Sequence, residues 1–146
     1  MYKRILVPLD GSDLAAGVTP HVQELAKSIG AEVVLLRVAF AHIFPSADPI
    51  ETQLTAVHEA ETYVVERASV LQESGVRAEG KVRYGDPVEE ILDHVTRDHI
   101  DLIAMATHGR TGLRRAVLGS VAEHVLRRAP VPMLLVRVHP PEEAQG

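Results

Sequence analysis

Three glycines and a run of arginines share one short stretch, Ala106 to Ser120, which reads A-T-H-G-R-T-G-L-R-R-A-V-L-G-S. Ahead of it, Leu102, Ile103, Ala104, Met105 and Ala106 form an apolar run too short for a helix, the pattern of a strand buried on both faces of a parallel sheet. Behind it, Ser120-Val121-Ala122-Glu123 reads as a capping box that opens a helix. Strand, glycine-rich loop and helix start together make an anion cradle. Gly109, Gly112 and Gly119 would present bare backbone N–H groups, and the helix aims the positive end of its dipole at the same place. Arg110, Arg114, Arg115, Arg127 and Arg128 surround the loop with positive charge, so a phosphate fits it chemically.

Other residues carry weaker signals. Asp10 precedes Gly11-Ser12 and is placed to begin an Asx-turn. His94 and Asp98 stand four apart on a helical pattern, a possible metal pair, but with no third convergent ligand they read as a hydrated surface. His108, inside the glycine loop, would touch a phosphate or lie exposed. No Gly-x-x-x-x-Gly-Lys-Ser/Thr occurs, no Gly-x-Gly-x-x-Gly follows the first strand, and no Gly-x-Ser-x-Gly elbow exists. These absences remove the P-loop, dinucleotide and acyl-transfer readings.

The elements that must hold the cradle alternate along the 146 residues. Arg4 to Leu9 reads as a first strand, and a helix from Asp13 to Ile29 follows, capped at its end by Gly30. Pro20 within it should kink the axis or shift the helix start to Thr19. Glu32 to Ala39 reads as a second buried strand. After a loop, Asp48-Pro49 opens the longest helix, which runs to Ser74. Val76 to Tyr84 alternates as a half-wet strand at an edge. Gly85-Asp86-Pro87 starts a helix lined by Val88, Ile91, Leu92 and Val95. The fourth strand spans Asp101 to Ala106, a helix runs from Ser120 to about Ala129, and Val131 to Val136 is the last strand.

Five strands interleaved with helices imply a doubly wound α/β fold, a five-stranded parallel sheet with helices on both faces. In such sheets ligands sit beyond the strand carboxyl ends where the strand order reverses. Leu9-Asp10 and Met105-Ala106 mark that crevice. The length predicts one domain over 1–138, with a mobile tail at 139–146. The composition is ordinary for a globular chain, 46% hydrophobic and only 3% aromatic, so aliphatic residues must fill the core. No apolar run approaches the ~18 residues of a membrane span. The opening residues read as a strand and not as a signal peptide, and the chain has no cysteine, so a cytoplasmic location is expected. A net charge of −5 argues against nonspecific nucleic-acid or membrane binding.

These residues resemble the universal stress protein family, in its ATP-binding branch, over nearly the whole chain. The family signature is Gly, two residues, Gly, nine residues, Gly and Ser or Thr. Its last three elements fall on Gly109, Gly119 and Ser120, and Ala106 stands at the first glycine. The resemblance implies that Asp10 contacts a ribose, that Pro8 borders the base and that Val38 and Met105 wall an adenine pocket. The phosphates would be held near Gly109, Gly119 and Ser120, with Ala106, Arg110 and Val121 completing the set and Mg2+ arriving on the phosphates. It further implies a homodimer paired through Val131 to Val136, and an unidentified protein partner. Three functions follow from it: an ATP-binding stress-response module, a slow ATP hydrolase relying on Asp10, His108 and Arg110, or a nucleotide-free interaction module, which Ala106 would favour.

Overall fold

The computed structural model describes residues 1–40, 44–108 and 118–138, with His108 described through its backbone alone. Ten elements follow one another: β1 (Arg4–Leu9), α1 (Asp13–Ala16), α2 (Thr19–Ile29), β2 (Glu32–Ala39), α3 (Pro49–Glu73), β3 (Ala78–Tyr84), α4 (Pro87–Arg97), β4 (Leu102–His108), α5 (Ser120–Arg128) and β5 (Met133–Val138). The strands form one parallel sheet in the order β3-β2-β1-β4-β5. Helices α1 to α3 cover one face, packing Val22, Ala26 and Leu71 on Ile5, Val7 and Val33. Helices α4 and α5 cover the other, with Ile91, Val95 and Val125 on Leu6, Val34 and Ile103. Among the described residues no helix is long and apolar enough to cross a membrane.

Most elements begin where short-range chemistry directs. Asp48 and Asp86 accept N–H groups of the first turns of α3 and α4, each followed by proline at the start of the helix. Four expected boundaries move. The Asp13 to Ile29 helix is two helices, because Pro20 occupies the first turn of α2, where a missing N–H costs nothing. The third strand starts at Ala78, since the Val76 N–H instead closes the turn after α3 on the Leu71 carbonyl (3.1 Å). Asp101 is not in β4, which continues two residues beyond Ala106; its carboxylate accepts the Lys3 and Arg4 N–H groups at 2.8 and 3.1 Å. The last strand starts at Met133 and not at Val131, and it reaches Val138.

The edge strand β3 sits unusually close to α3. A Cβ at Gly80 would fall 2.8 Å from Val64 Cβ and 2.9 Å from the Val64 carbonyl oxygen. Gly80→Ala therefore has to push the buried face of α3 off the sheet, and its expected cost is about 1–3 kcal/mol. A lowered urea midpoint with an unchanged m-value would show it.

His94 and Asp98 are not a hydrated surface. His94 is buried and its Nε2 lies 3.1 Å from Asp98 Oδ2, which also accepts Arg4 Nη2 at 2.6 Å. Burial holds the imidazole below its ordinary pKa of about 6.5 even though Asp98 pulls it upward. As pH falls through that value the unfolded chain gains a proton that the native chain refuses, so stability present above it is lost on acidification. The melting temperature is expected to fall between pH 7 and pH 5, and the slope should flatten in His94→Gln. A wild-type melting temperature flat across that range would contradict this.

Candidate functional site

The sheet opens where its strand order reverses. β1 pairs with β2 through six residues and β4 with β5 through six, yet β1 and β4 register only at Ile5 with Leu102 and Leu6 with Ile103. Beyond those pairs the two central strands part. Alternation along a parallel strand shows which groups face the gap. The Lys3 carbonyl accepts from Glu32 and the Arg4 carbonyl from Asp101, so Arg4, Leu6 and Pro8 turn their backbone groups toward β4. Pro8, which has no N–H to offer, stands where the ladder has already ended.

The gap is a cleft of about 330 Å³, within the range of small-molecule sites. Most of its lining is apolar, with Leu36, Val38, Ile91, Met105 and Val121 packed in one hydrophobic cluster. Asp10, Ser12, Gly119 and Ser120 are also in the lining. Asp10 begins the expected Asx-turn, its Oδ1 accepting the Ser12 N–H at 2.8 Å, and Ser12 in turn caps α1 by accepting the Ala15 N–H at 3.1 Å. The turn holds the Asp10 carboxylate at the cleft, and among the described residues its second oxygen has no partner.

The start of α5 differs from the capping-box expectation. Gly119, not Ser120, is the N-cap, and Ser120 is the first helical residue. The Glu123 carboxylate is turned away to Arg127 at 2.8 Å. Among the described residues no side chain caps this helix, and its first helical bond is from the Glu123 N–H to the Gly119 carbonyl (2.9 Å). The Ser120, Val121 and Ala122 N–H groups precede that bond and have no acceptor within the helix. All three residues line the cleft. Unspent amides and the positive end of a helix dipole thus meet in one hollow, the arrangement that binds anions.

Of the residues expected from sequence, Pro8, Asp10, Val38, Met105, Ala106, Gly119, Ser120 and Val121 come together around this cleft. Gly109 and Arg110 lie outside the described residues, as do Gly112, Arg114, Arg115 and the His108 side chain. Ala106 packs with the core on the α1–α3 face, so its extra methyl group finds a place in the interior. Leu14, Ala15, Leu36, Pro87, Ile91 and Ala122 also line the cleft and are not among the residues expected from sequence. Leu36 lies two residues before Val38 and so on the same strand face, a signal that was available; the approach of α4 to the cleft has no local signature.

A parallel sheet wound on both faces, with a ligand-sized cleft at the reversal of strand order, defines the doubly wound, Rossmann-like class. Within it the chain belongs to the universal stress protein family, whose sequence profile matches residues 1–137. A universal stress protein of Methanocaldococcus jannaschii is 33% identical over 142 residues, covering 94% of this chain and 83% of that protein. The solved structure of the universal stress protein UspA from Lactobacillus plantarum is similar at a TM-score of 0.78 and 27% identity, over 93% of this chain and 98% of that one. Two solved universal stress proteins at 19% identity share the fold. One is in complex with cAMP (TM-score 0.70, 93% of this chain and 97% of that one), and the other, from Archaeoglobus fulgidus, is in complex with dAMP (TM-score 0.65, 93% and 98%).

Proposed function

We propose that this chain is a cytoplasmic stress-response protein that binds ATP in the β1/β4 cleft and acts as a dimeric, nucleotide-responsive module built from one domain over 1–138. The observation that carries the reading is the uncapped start of α5, which opens in a largely apolar cleft of a size to take a base. The adenine nucleotides in the two structures of the same fold support that chemistry. In this reading Val38 and Met105 sandwich the base with Pro8 at its edge, and Asp10 accepts from ribose hydroxyls. The amides of Ser120, Val121 and Ala122 and the Ser120 hydroxyl receive phosphate oxygens, with Gly109 and Arg110 approaching from the loop.

Asp10 is the one carboxylate lining the cleft among the described residues. A lone carboxylate is a poor divalent-ion site, so Mg2+ would arrive already held by the phosphates. Binding does not by itself imply turnover. The nucleotide acts by favouring the loop arrangement it contacts best, which a protein partner then reads. The sheet edge supports dimerisation through β5: among the described residues this strand has a neighbour on one side only and exposes Leu135, and a second copy would cover both liabilities.

Isothermal titration with ATP and Mg2+ is expected to show one nucleotide per chain, with ATP preferred over GTP. Absence of heat and of dialysis uptake at millimolar ATP would end the reading.

A further inference from the structure

After its opening glutamate, β2 is apolar except for Arg37. Alternation from Val33 and Leu35 turns Arg37 to the α1–α3 face, while its neighbour Val38 lines the cleft on the other face. In the sheet register Arg37 lies opposite Leu9, the last residue of β1 and the one that precedes Asp10.

The half-buried guanidinium of Arg37 meets both a ring and a turn. Its Cζ stands 5.1 Å from the centroid of Tyr63 on α3, within reach of a cation–π contact. The Tyr63 hydroxyl is buried without a hydrogen-bond partner among the described residues, so the ring itself is what α3 offers. The same guanidinium packs on the backbone of the β1–α1 turn. A Cβ at Gly11 would fall 2.5 Å from Arg37 Nη1 and 3.0 Å from Cζ and Nη2, and Gly11 has φ +87°. Glycine thus serves twice here, bending the chain through the left-handed region and letting Arg37 lie against the turn.

The turn is the one that presents Asp10 to the cleft. Asp10, Gly11 and Ser12 are exposed, and the bond from the Ser12 N–H to Asp10 Oδ1 competes with water, so its net worth is small. A planar group backed by a ring on α3 supports the turn without that competition. A carboxylate placed in advance spares an incoming ligand the entropy of ordering it.

We propose that Arg37 is a positioning residue for Asp10, bracing the β1–α1 turn so that the carboxylate is set for ribose hydroxyls before nucleotide arrives. Arg37 is not in the cleft lining and acts through Gly11. The proposal rests on the ATP reading of the cleft and assigns to Arg37 a share of its selectivity for the ribose.

The test is calorimetry of the full chain with ATP and with 2′,3′-dideoxy-ATP, which lacks both ribose hydroxyls. Wild type is expected to prefer ATP, and Asp10→Ala to lose that preference. In Arg37→Ala the preference should fall about two- to tenfold, the ordering cost of one side chain, with dideoxy-ATP affinity unchanged. A general loosening of the fold would instead weaken both nucleotides together. Tyr63→Phe, which keeps the ring, should retain the wild-type preference, and Tyr63→Leu should lose it as Arg37→Ala does. Arg67→Ala removes a cation 5.4 Å from the same ring, leaves Arg37 on the turn and should also retain it. Without nucleotide, solvent exchange of the Ser12 N–H should quicken in Arg37→Ala, because that proton reports the bond to Asp10. Wild type that binds no ATP, or binds both nucleotides equally, would sink the cleft reading and this proposal with it. A preference that survives in Arg37→Ala, or Ser12 exchange equal to wild type, would overturn the positioning role alone.

Discussion

Ser120→Pro is expected to weaken ATP binding about 10- to 100-fold, the effect of removing hydrogen bonds to a charged group worth roughly 1.5–3 kcal/mol each. The backbone accepts this change without strain. Ser120 is the first helical residue, where proline is favoured because its missing N–H has no helical acceptor to lose. The residue before a proline must be extended, and Gly119 already has φ −61° and ψ 156°. The substitution therefore deletes one amide donor and one hydroxyl from the lining of the cleft while leaving α5 folded. Calorimetry would measure the affinity, and the melting temperature without nucleotide should stay within a few degrees of wild type. Ser120→Ala separates the two losses, since it removes the hydroxyl and keeps the amide. Unchanged affinity in Ser120→Pro would mean that the start of α5 does not hold the phosphates.

The second large effect lies at the opposite end of the sheet. Arg4 donates to Glu32, to Glu79 Oε1 at 3.2 Å and to Asp98 Oδ2 at 2.6 Å, with its side chain only 23% exposed. Arg4→Leu leaves three carboxylates facing one another with Lys81, 3.9 Å from Glu79 Oε2, as the cation near them among the described residues. Breaking a fully buried pair costs about 3–5 kcal/mol, and the residual exposure here reduces the expectation to about 2–3 kcal/mol at pH 7. For a chain of this length the melting temperature should fall by roughly 6–12 °C.

The deficit also has a defined pH dependence. Burial raises the Asp98 carboxyl pKa, but the hydrogen bond and charge of Arg4 outweigh it and the net shift is downward. A carboxylate with a lowered native pKa stabilises the fold above its unfolded value of about 3.9, and that contribution is lost as pH falls through the lower native value. The gap between wild type and Arg4→Leu should therefore narrow as the carboxylates protonate below about pH 4. Asp98→Asn in the Arg4→Leu background should restore part of the loss. A variant as stable as wild type at pH 7 would show that the cluster is solvated and energetically neutral.

Much of this architecture is legible in the sequence. Proline and glycine punctuation located the starts of α3 and α4 and the end of α2, because Asp48, Asp86 and Gly30 act within their own turn of chain. The break at Pro20 was expected as a kink or a shifted start, and the shift to Thr19 is what occurs. Errors arose where a residue had a distant competitor. Asp101 looked like the first residue of a strand until its carboxylate found the backbone of Lys3 and Arg4, and Glu123 looked like half of a capping box until Arg127 took it. His94 and Asp98 looked solvated because nothing near them in sequence revealed Arg4, ninety-four residues before Asp98.

By itself the sequence determined the alternation of strands and helices, the parallel doubly wound class and the glycine-rich stretch that carries the family resemblance. All of these rest on periodicity and on turn chemistry a few residues long. Tertiary structure alone decided that β1 and β4 separate after two paired residues, that Leu36, Pro87 and Ile91 join Val38 and Met105 in lining one cleft, and that the start of α5 is left uncapped in the cleft. It also decided that Arg37 and Arg67, thirty residues apart, both lie over the Tyr63 ring. Each of these outcomes depends on which strand lies beside which and where a ladder ends. Those relations are set by burying both faces of the sheet at once, and no window of neighbouring residues contains them.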